Sequence, residues 1–440
     1  MVEALGVSPF WVAVGLFFTA YLIIMTEQIN RAIIALLFAG LLVISGVLSQ
    51  EEAIKAVDFN TLGLLAGMMV IVHVTTKTGV FEYIAIRSAQ LVKARPWPLM
   101  LALCVVTAIC SAFLDNVTTV LLITPVILSL TKTLEQNPYP YLFTAIFSSN
   151  IGGTATLIGD PPNIMIGSAT HLTFNDFLIN LAEPVSVIFI ATMLPIYVIW
   201  GRKLVAHPEH TGKVLAMRAA DNITDRRLLK HCILVIGLVL AGFTLAHSLH
   251  LEPATIAITG AALLLFLENL SHPREDHHGN VHEAFAEAEW VTLFFFVGLF
   301  ILVAGVEKVG LIHMISEKML ELTDSNFDAT ALVILWGSAV FSAIVDNIPF
   351  VATMIPTIKA MAPTFGDGHA LDPLWWALAL GACLGGNGSL IGASANLVVA
   401  GIAEKNGVQI RFVPFLLRAF PLMLMSIAIC HVYIVWRFLP

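Results

Sequence analysis

Charge is scarce in this sequence. Asp, Glu, Lys and Arg make up 12% of its 440 residues, about half the share usual in a soluble domain. Hydrophobic residues make up 58%, and the mean hydropathy is +0.88. With apolar runs near the roughly 20 residues that cross a bilayer, the soluble globular classes are excluded. The chain reads as an all-α polytopic membrane protein. Its net charge of −8 belongs to the loops and points to no nucleic-acid partner. Cysteine is also sparse: Cys104, Cys110, Cys232, Cys383 and Cys430 are scattered through apolar runs with no CxxC pair. That excludes a disulfide framework and a cysteine zinc site. The N-terminal stretch MVEALGVSPFWVAVGLFF lacks the basic region and cleavage site of a signal peptide, so it reads as a first membrane helix. No cofactor or metal is assigned.

The few polar groups inside the apolar runs carry the argument. Asp115 stands in the run CSAFLDNVTTVLLITPVILSL (110–130), and Gly152, Gly153, Gly159, Asp160, Pro161 and Pro162 interrupt the next one. An ionisable group deep in an apolar segment is costly and usually marks an ion or proton path. Backbone that unwinds at membrane depth survives only where it lines a site or is buried in protein. Apolar runs between polar and Pro/Gly boundaries place helices at about 9–25, 30–48, 60–77, 181–200, 231–249, 253–269, 290–306 and 412–436. An amphipathic stretch, 80–94, reads as interfacial.

The second half repeats the first. Gly67, Lys77, Gly79, Asp115, Asn116 and Pro125 recur 231 residues later as Gly298, Lys308, Gly310, Asp346, Asn347 and Pro356. With the offset grown to 233, Gly152, Gly153, Leu157, Ile158, Gly159 and Asn163 recur as Gly385, Gly386, Leu390, Ile391, Gly392 and Asn396. The first repeat is expected over 1–200, with a re-entrant hairpin at 97–133 and a broken helix at 141–168. An Arg- and Lys-rich linker covers 201–230, and the second repeat covers 231–440, with a hairpin at 328–362 and a broken helix at 374–404. The fold expected is two inverted-topology repeats: about 10 transmembrane helices, two re-entrant hairpins and two broken helices. Placing the linker in the cytoplasm puts about 17 of the 22 basic residues inside, as the positive-inside rule asks. Both termini then lie outside, periplasmic or extracellular.

Candidate site residues follow from the repeat. Asp115, Asp346 and Asp160 are expected to couple protons, although Asp160 has only Ala393 as its counterpart. At the hairpin tips Asn116, Thr118, Thr119 and Asn347 offer oxygens. In the broken helices Asn150, Gly152, Gly153, Thr154, Thr156, Asn163, Asn387, Gly388, Ser389, Ser394 and Asn396 are expected to bind substrate. Glycine lets the backbone approach a ligand closely. No Lys or Arg lies within 111–126, 148–167, 342–356 or 381–397. A site without a fixed cation suits a cation or a neutral hydroxylated solute. The loop 271–283, with His272, His277, His278 and His282, reads as solvated. An intramembrane enzyme would need such ligands at membrane depth, so the chain is not read as an enzyme.

At FLDNVTTVLLITP (113–125), NIGGTATLIGDPPN (150–163), IVDNIPFVATMIP (344–356) and GGNGSLIGASAN (385–396) the chain resembles the ion transporter superfamily. The group is that of arsenite permeases, NhaD-type sodium–proton antiporters and P-protein-like permeases. The superfamily's dicarboxylate symporters carry Ser-Asn-Thr where this chain has Asp115-Asn116 and Asp346-Asn347, a departure that weakens a carboxylate substrate. The resemblance implies elevator-type alternating access in the cell inner membrane. Its leading expectation is export of arsenite or antimonite in exchange for protons, and its rival is Na⁺/H⁺ antiport. The partners implied are the solute, H⁺ or Na⁺, the lipid bilayer, a cytoplasmic ATPase subunit and a homodimer.

Overall fold

The computed structural model describes residues 8–26, 28–205, 208–271 and 277–439. All regular structure among the described residues is helical. The first half holds α1 (Pro9–Thr26), α2 (Arg31–Ser45), α3 (Gln50–Ala56), α4 (Phe59–Lys77) and α5 (Val80–Leu91). It continues with α6 (Pro96–Phe113), α7 (Asn116–Thr133), α8 (Pro138–Thr154), α9 (Pro161–Ala169) and α10 (Phe174–Ile199). The linker carries α11 (Pro208–Leu215). The second half holds α12 (Arg226–Leu249), α13 (Pro253–Ser271), α14 (His277–Ala286), α15 (Trp290–Lys308) and α16 (Leu311–Leu322). It ends with α17 (Phe327–Ile344), α18 (Asn347–Lys359), α19 (Ala362–Phe365), α20 (Asp372–Gly385), α21 (Ser394–Lys405) and α22 (Phe412–Phe438).

Ten of these helices are long and apolar enough to span a bilayer. The number meets the expectation with different members. Both arms of the first hairpin and the first arm of the second are among the ten, whereas α2, at 15 residues, is not. At 1.5 Å per residue α2 is about 22 Å long, short of the roughly 30 Å hydrocarbon core. Asn30 caps its start and Gly46 closes its end with a φ of 85°. The expected helix at 30–48 is therefore too long.

Local chemistry explains the other departures. A capping box between Thr173 and Asp176 starts α10 at Phe174, seven residues before the expected start, because a paired cap satisfies the first backbone donors. The 271–283 segment, read as a loop, is helical from His277 onward. His272, Glu275 and Asp276 lie outside the described residues. The broken helices break where sequence chemistry demands: Pro161 and Pro162 open α9 after Asp160, since proline fits a helix's first turn but not its interior.

Packing repeats as the sequence does. α4 lies along α13 from the other half, and α15 along α2 from the first half. A β-carbon on Gly67 would stand 2.6 Å from the Ala257 carbonyl carbon, and one on Gly298 would stand 2.5 Å from that of Ala35. Only glycine permits those approaches. Ser111 Oγ donates to Ser149 O at 2.7 Å, and its repeat partner Ser342 donates to Ala382 O at 2.6 Å. Lys77 pairs with Glu283 at 2.8 Å, and Lys308 with Glu52 at 2.7 Å, so each repeat's lysine holds the other repeat's glutamate.

The hairpins enter from opposite ends of α4. Its C-terminal end meets the linker, where Thr224 N donates to Thr78 O. The first hairpin's base is on that side, with Gln136 bonded to Val205 O. At the other end of α4, Asp58 shares a cavity with Ser168, Glu307 and Lys359, the last residue of α18.

Candidate functional site

The two tips are built alike. Each hairpin's first arm ends two residues before an aspartate, and that aspartate caps the second arm. Asp115 Oδ1 accepts from Thr118 N at 2.8 Å, and Asp346 Oδ1 accepts from Ile348 N at 3.1 Å. An N-cap carboxylate satisfies donors that the helix start leaves open. Both aspartates are buried, at 7% and 8% exposure.

Beyond the cap the tips diverge. Thr118 Oγ1 donates to Asp115 Oδ2 from within its own helix. Asp346 Oδ2 instead accepts from Arg31 Nη1 at 2.6 Å and from Ser394 Oγ at 2.7 Å. Arg31 Nη1 also reaches Ser394 Oγ, and its guanidinium carbon lies 4.8 Å from the Phe295 ring centre. Arg31 is the first residue of α2, and the shortness of that helix carries it to the depth of the tips. The expectation of a site without a fixed cation is thereby corrected.

Between the tips lies a cavity of about 10 Å³, lined by Arg31, Asp115, Asn116, Asp160, Glu289 and Asn347, among others. Thr292 and Ser394 complete its polar wall, and Leu65, Met69 and Ile348 are on its apolar side. That volume holds about one water. Three carboxylates line it against one guanidinium, which the fourth carboxylate, Asp346, already pairs. Asp160 is 1% exposed. Its Oδ1 accepts weakly from Asn347 at 3.4 Å, and its Oδ2 accepts no N–H or O–H bond among the described residues, with only the weakly donating Cys383 thiol beside the carboxylate. A buried oxygen left in that state is an acceptor for a proton or a cation.

Of the residues singled out from sequence, the structure gathers Asp115, Asn116, Asp160, Asn347 and Ser394 around this cavity. The others sit behind it. Asn150 Nδ2 donates to Asn387 Oδ1 at 3.0 Å and to Asn396 Oδ1 at 2.9 Å, and Asn116 Nδ2 donates to Asn150 Oδ1 at 3.3 Å. This amide chain joins the first tip to both broken helices. Asn396 Nδ2 holds Gly386 O and Ser389 O, each at 2.8 Å. Asn163 Nδ2 likewise holds Thr154 O at 3.1 Å and Thr156 O at 2.9 Å, so these amides tie off carbonyls freed by the breaks. The Thr154 and Thr156 hydroxyls bond the Asn150 and Ala112 carbonyls, and Ser389 bonds Ala343 O. Gly152, Gly153 and Gly388 pack closely on Ala108, Gly159 and Ala343. Thr119 is fully buried.

Arg31 and Glu289 were missed. Both begin apolar helices and look like interfacial flanks. The one available signal was position: Glu289 is the repeat counterpart of Asp58, a charge kept at the start of α4 and α15.

The comparisons with known proteins agree with this architecture. The CitMHS family model, described as a citrate transporter, matches residues 21–381. An uncharacterized transporter of Mycobacterium tuberculosis (strain ATCC 25618 / H37Rv) is 39% identical over 431 residues, covering 97% of this chain and 98% of its own. The P protein of Mus musculus is 33% identical over 513 residues, covering 97% of this chain and 61% of its own. The crystal structure of the Alcanivorax borkumensis YdaH transporter superposes with a TM-score of 0.59 at 14% identity, covering 87% of both chains, a likeness of fold. A family match across most of its length makes this chain a member of the CitMHS citrate-transporter family, and a multi-pass membrane transporter.

Proposed function

We propose that the chain exchanges protons for a small cation, with Na⁺ the first candidate, at the cavity between the hairpin tips. The observation that carries this reading is the cavity's size and charge together. It admits about one water-sized body, and its acid outnumbers its base. Carboxylate and amide oxygens are the ligands that hard cations take. Asp115, Asp160 and Glu289 would bind cation or proton in turn. Arg31, released from Asp346 by the arriving cation, would hold the site's charge steady between the two states. The hairpins and broken helices would move as a unit against α1, α2, α4, α13 and α15, with the linker cytoplasmic and both termini outside the cell inner membrane.

Arsenite or antimonite export drew support from a site without a fixed cation. Arg31 removes that support, and a one-water cavity is small for a trihydroxide. A second reading has its own observation. Arg31 is the residue type that takes a carboxylate in two parallel bonds, and the family's description names citrate. A substrate carboxylate would then replace Asp346 on Arg31.

Purified protein in liposomes enclosing a pH-sensitive dye distinguishes these readings. On the cation reading, external Na⁺ or Li⁺ drives an internal pH change, and arsenite or citrate without Na⁺ or Li⁺ does not. A response to citrate alone replaces cation exchange with carboxylate transport, and sodium-independent arsenite flux restores export of the trihydroxide.

A further inference from the structure

A second group of ligand-type side chains lies away from the central cavity. His171 sits in the turn between α9 and α10. His369 and Asp372 lie just before and at the start of α20. The turn therefore leaves the first broken helix, and the other two residues enter the second. His171 Nε2 is 2.9 Å from His369 Nδ1 and 3.1 Å from Asp372 Oδ1. His369 Nδ1 is 3.0 Å from Asp372 Oδ2. The rings meet edge to face, with centres 4.2 Å apart.

Protons alone satisfy this arrangement badly. Each of the two ring nitrogens faces both the other nitrogen and a carboxylate oxygen. A neutral imidazole has one N–H and one lone pair. If both nitrogens are protonated toward Asp372, their hydrogens confront each other across 2.9 Å. If one is, its N–H is shared between the other ring and the carboxylate, and the bare nitrogen faces a carboxylate oxygen at 3.0–3.1 Å. If neither is, three acceptors converge. A Lewis acid at the centre turns the convergence into three bonds. Tetrahedral zinc, with ligands at about 2.0–2.2 Å, sets donors roughly 3.3–3.5 Å apart. The observed spacings reach that with small side-chain adjustments.

We infer that His171, His369 and Asp372 form a site for a zinc-class divalent transition metal. Two imidazoles and one carboxylate suit that class, whereas Mg²⁺ and Ca²⁺ take mainly oxygen ligands. His369 is 86% exposed, so the site is open to ions in solution and leaves a position for water. It lies at the end of α4 away from the 201–230 linker: Asn60, at that end, bonds both Ser168 at the close of α9 and Glu252 beside α13. A metal there would clasp the outer end of one broken helix to the start of the other. His171 also lines a cavity of about 340 Å³ with His247 from the last turn of α12 and His250 and Glu252 from the turn after it, a polar vestibule beside the clasp.

The test is Zn²⁺ titration of the purified, tag-free protein in a non-coordinating buffer, read by calorimetry and by the unfolding midpoint. Wild type is expected to show a saturable site whose occupancy raises the midpoint, because a ligand that binds only the folded state stabilises it by mass action. Mg²⁺ at the same concentration should leave it unmoved. His171→Ala and His369→Ala should each lower that affinity at least ten-fold while keeping the metal-free midpoint. A third variant replaces His272, His277, His278 and His282 with Ala, and it should retain the site. If this variant loses the site while His369→Ala keeps it, or if Mg²⁺ competes equally, the inference is overturned.

Discussion

The two hairpin tips share a backbone and differ in what holds their aspartates. Asp115 is capped and bonded within its own helix by Thr118. Asp346 is tied outward, to Arg31 of α2 and to Ser394 at the start of α21. One tip is self-contained, and the other is moored to a helix of the opposite repeat. Duplication thus preserves what geometry requires, a cap at each tip and a glycine at each crossing. The side chains facing the cavity remain free to diverge. Asp160 and its counterpart Ala393 make the same point in the broken helices, at equivalent backbone positions before α9 and α21.

Breaking the mooring should have the largest effect. Arg31→Ala leaves Asp346 buried without its cation, and removing one partner of a buried pair costs about 3–5 kcal/mol. The unfolding midpoint in detergent should fall and transport should cease. Adding Asp346→Asn should recover much of the midpoint and none of the transport. A double variant as unstable as Arg31→Ala would show that the pair is not what anchors this tip.

Next comes the comparison itself. Asp115→Asn keeps an oxygen for the cap and should abolish proton-coupled flux with little change in midpoint. Asp346→Asn should abolish flux and also lower the midpoint, because it takes from the part-buried Arg31 the carboxylate it is bonded to. Equal midpoints for the two variants would erase the distinction between a self-contained and a moored tip.

The scaffold should respond symmetrically where the tips do not. Gly67→Ala and Gly298→Ala each force a β-carbon against the facing helix backbone, and overpacking of this kind costs about 1–3 kcal/mol. Thermal unfolding should show the two losses to be similar. A large effect at one glycine alone would mean the crossings are not equivalent.

The smallest effect is expected at the exposed pair of Lys308 and Glu52. The Lys308 ammonium, bonded to Glu52, pushes that carboxyl down to about 2 from an ordinary 4.5. A lowered carboxyl pKa stabilises above its unfolded value, and that contribution is lost only as pH falls toward the folded one. The small midpoint difference between wild type and Lys308→Ala should therefore be the same at pH 5.5 and pH 8. A difference that disappears between those values would show that the pair is not formed.

Much of this architecture was legible in the sequence. Asp115 and Asp346 stand out in apolar runs, and the glycines and Pro161–Pro162 announce the breaks. The doubled Asp-Asn exposes the repeat. Two kinds of information were hidden. Hydropathy cannot say where inside an apolar run a helix begins, so Arg31 and Glu289 read as flanks when they reach the cavity wall. Nor does a polar residue in an apolar run declare its partner. Asn150, Asn387 and Asn396 look like substrate ligands, yet they bond mainly to one another and to freed carbonyls. His171 and His369 belong to different halves, and only the fold makes them neighbours.

The crossed pairing of α2 with α15 and of α4 with α13 has a consequence for how the chain is made. Synthesis at about 5–20 residues per second leaves α2 in the bilayer for tens of seconds before its partner emerges. During that interval Arg31 has neither Asp346 nor Ser394 to meet. The first half is then a waiting half, inserted but unlocked, and the second half closes both at once. Two separately expressed halves, cut in the 201–230 linker, should therefore each be degraded alone and rescue one another when made together.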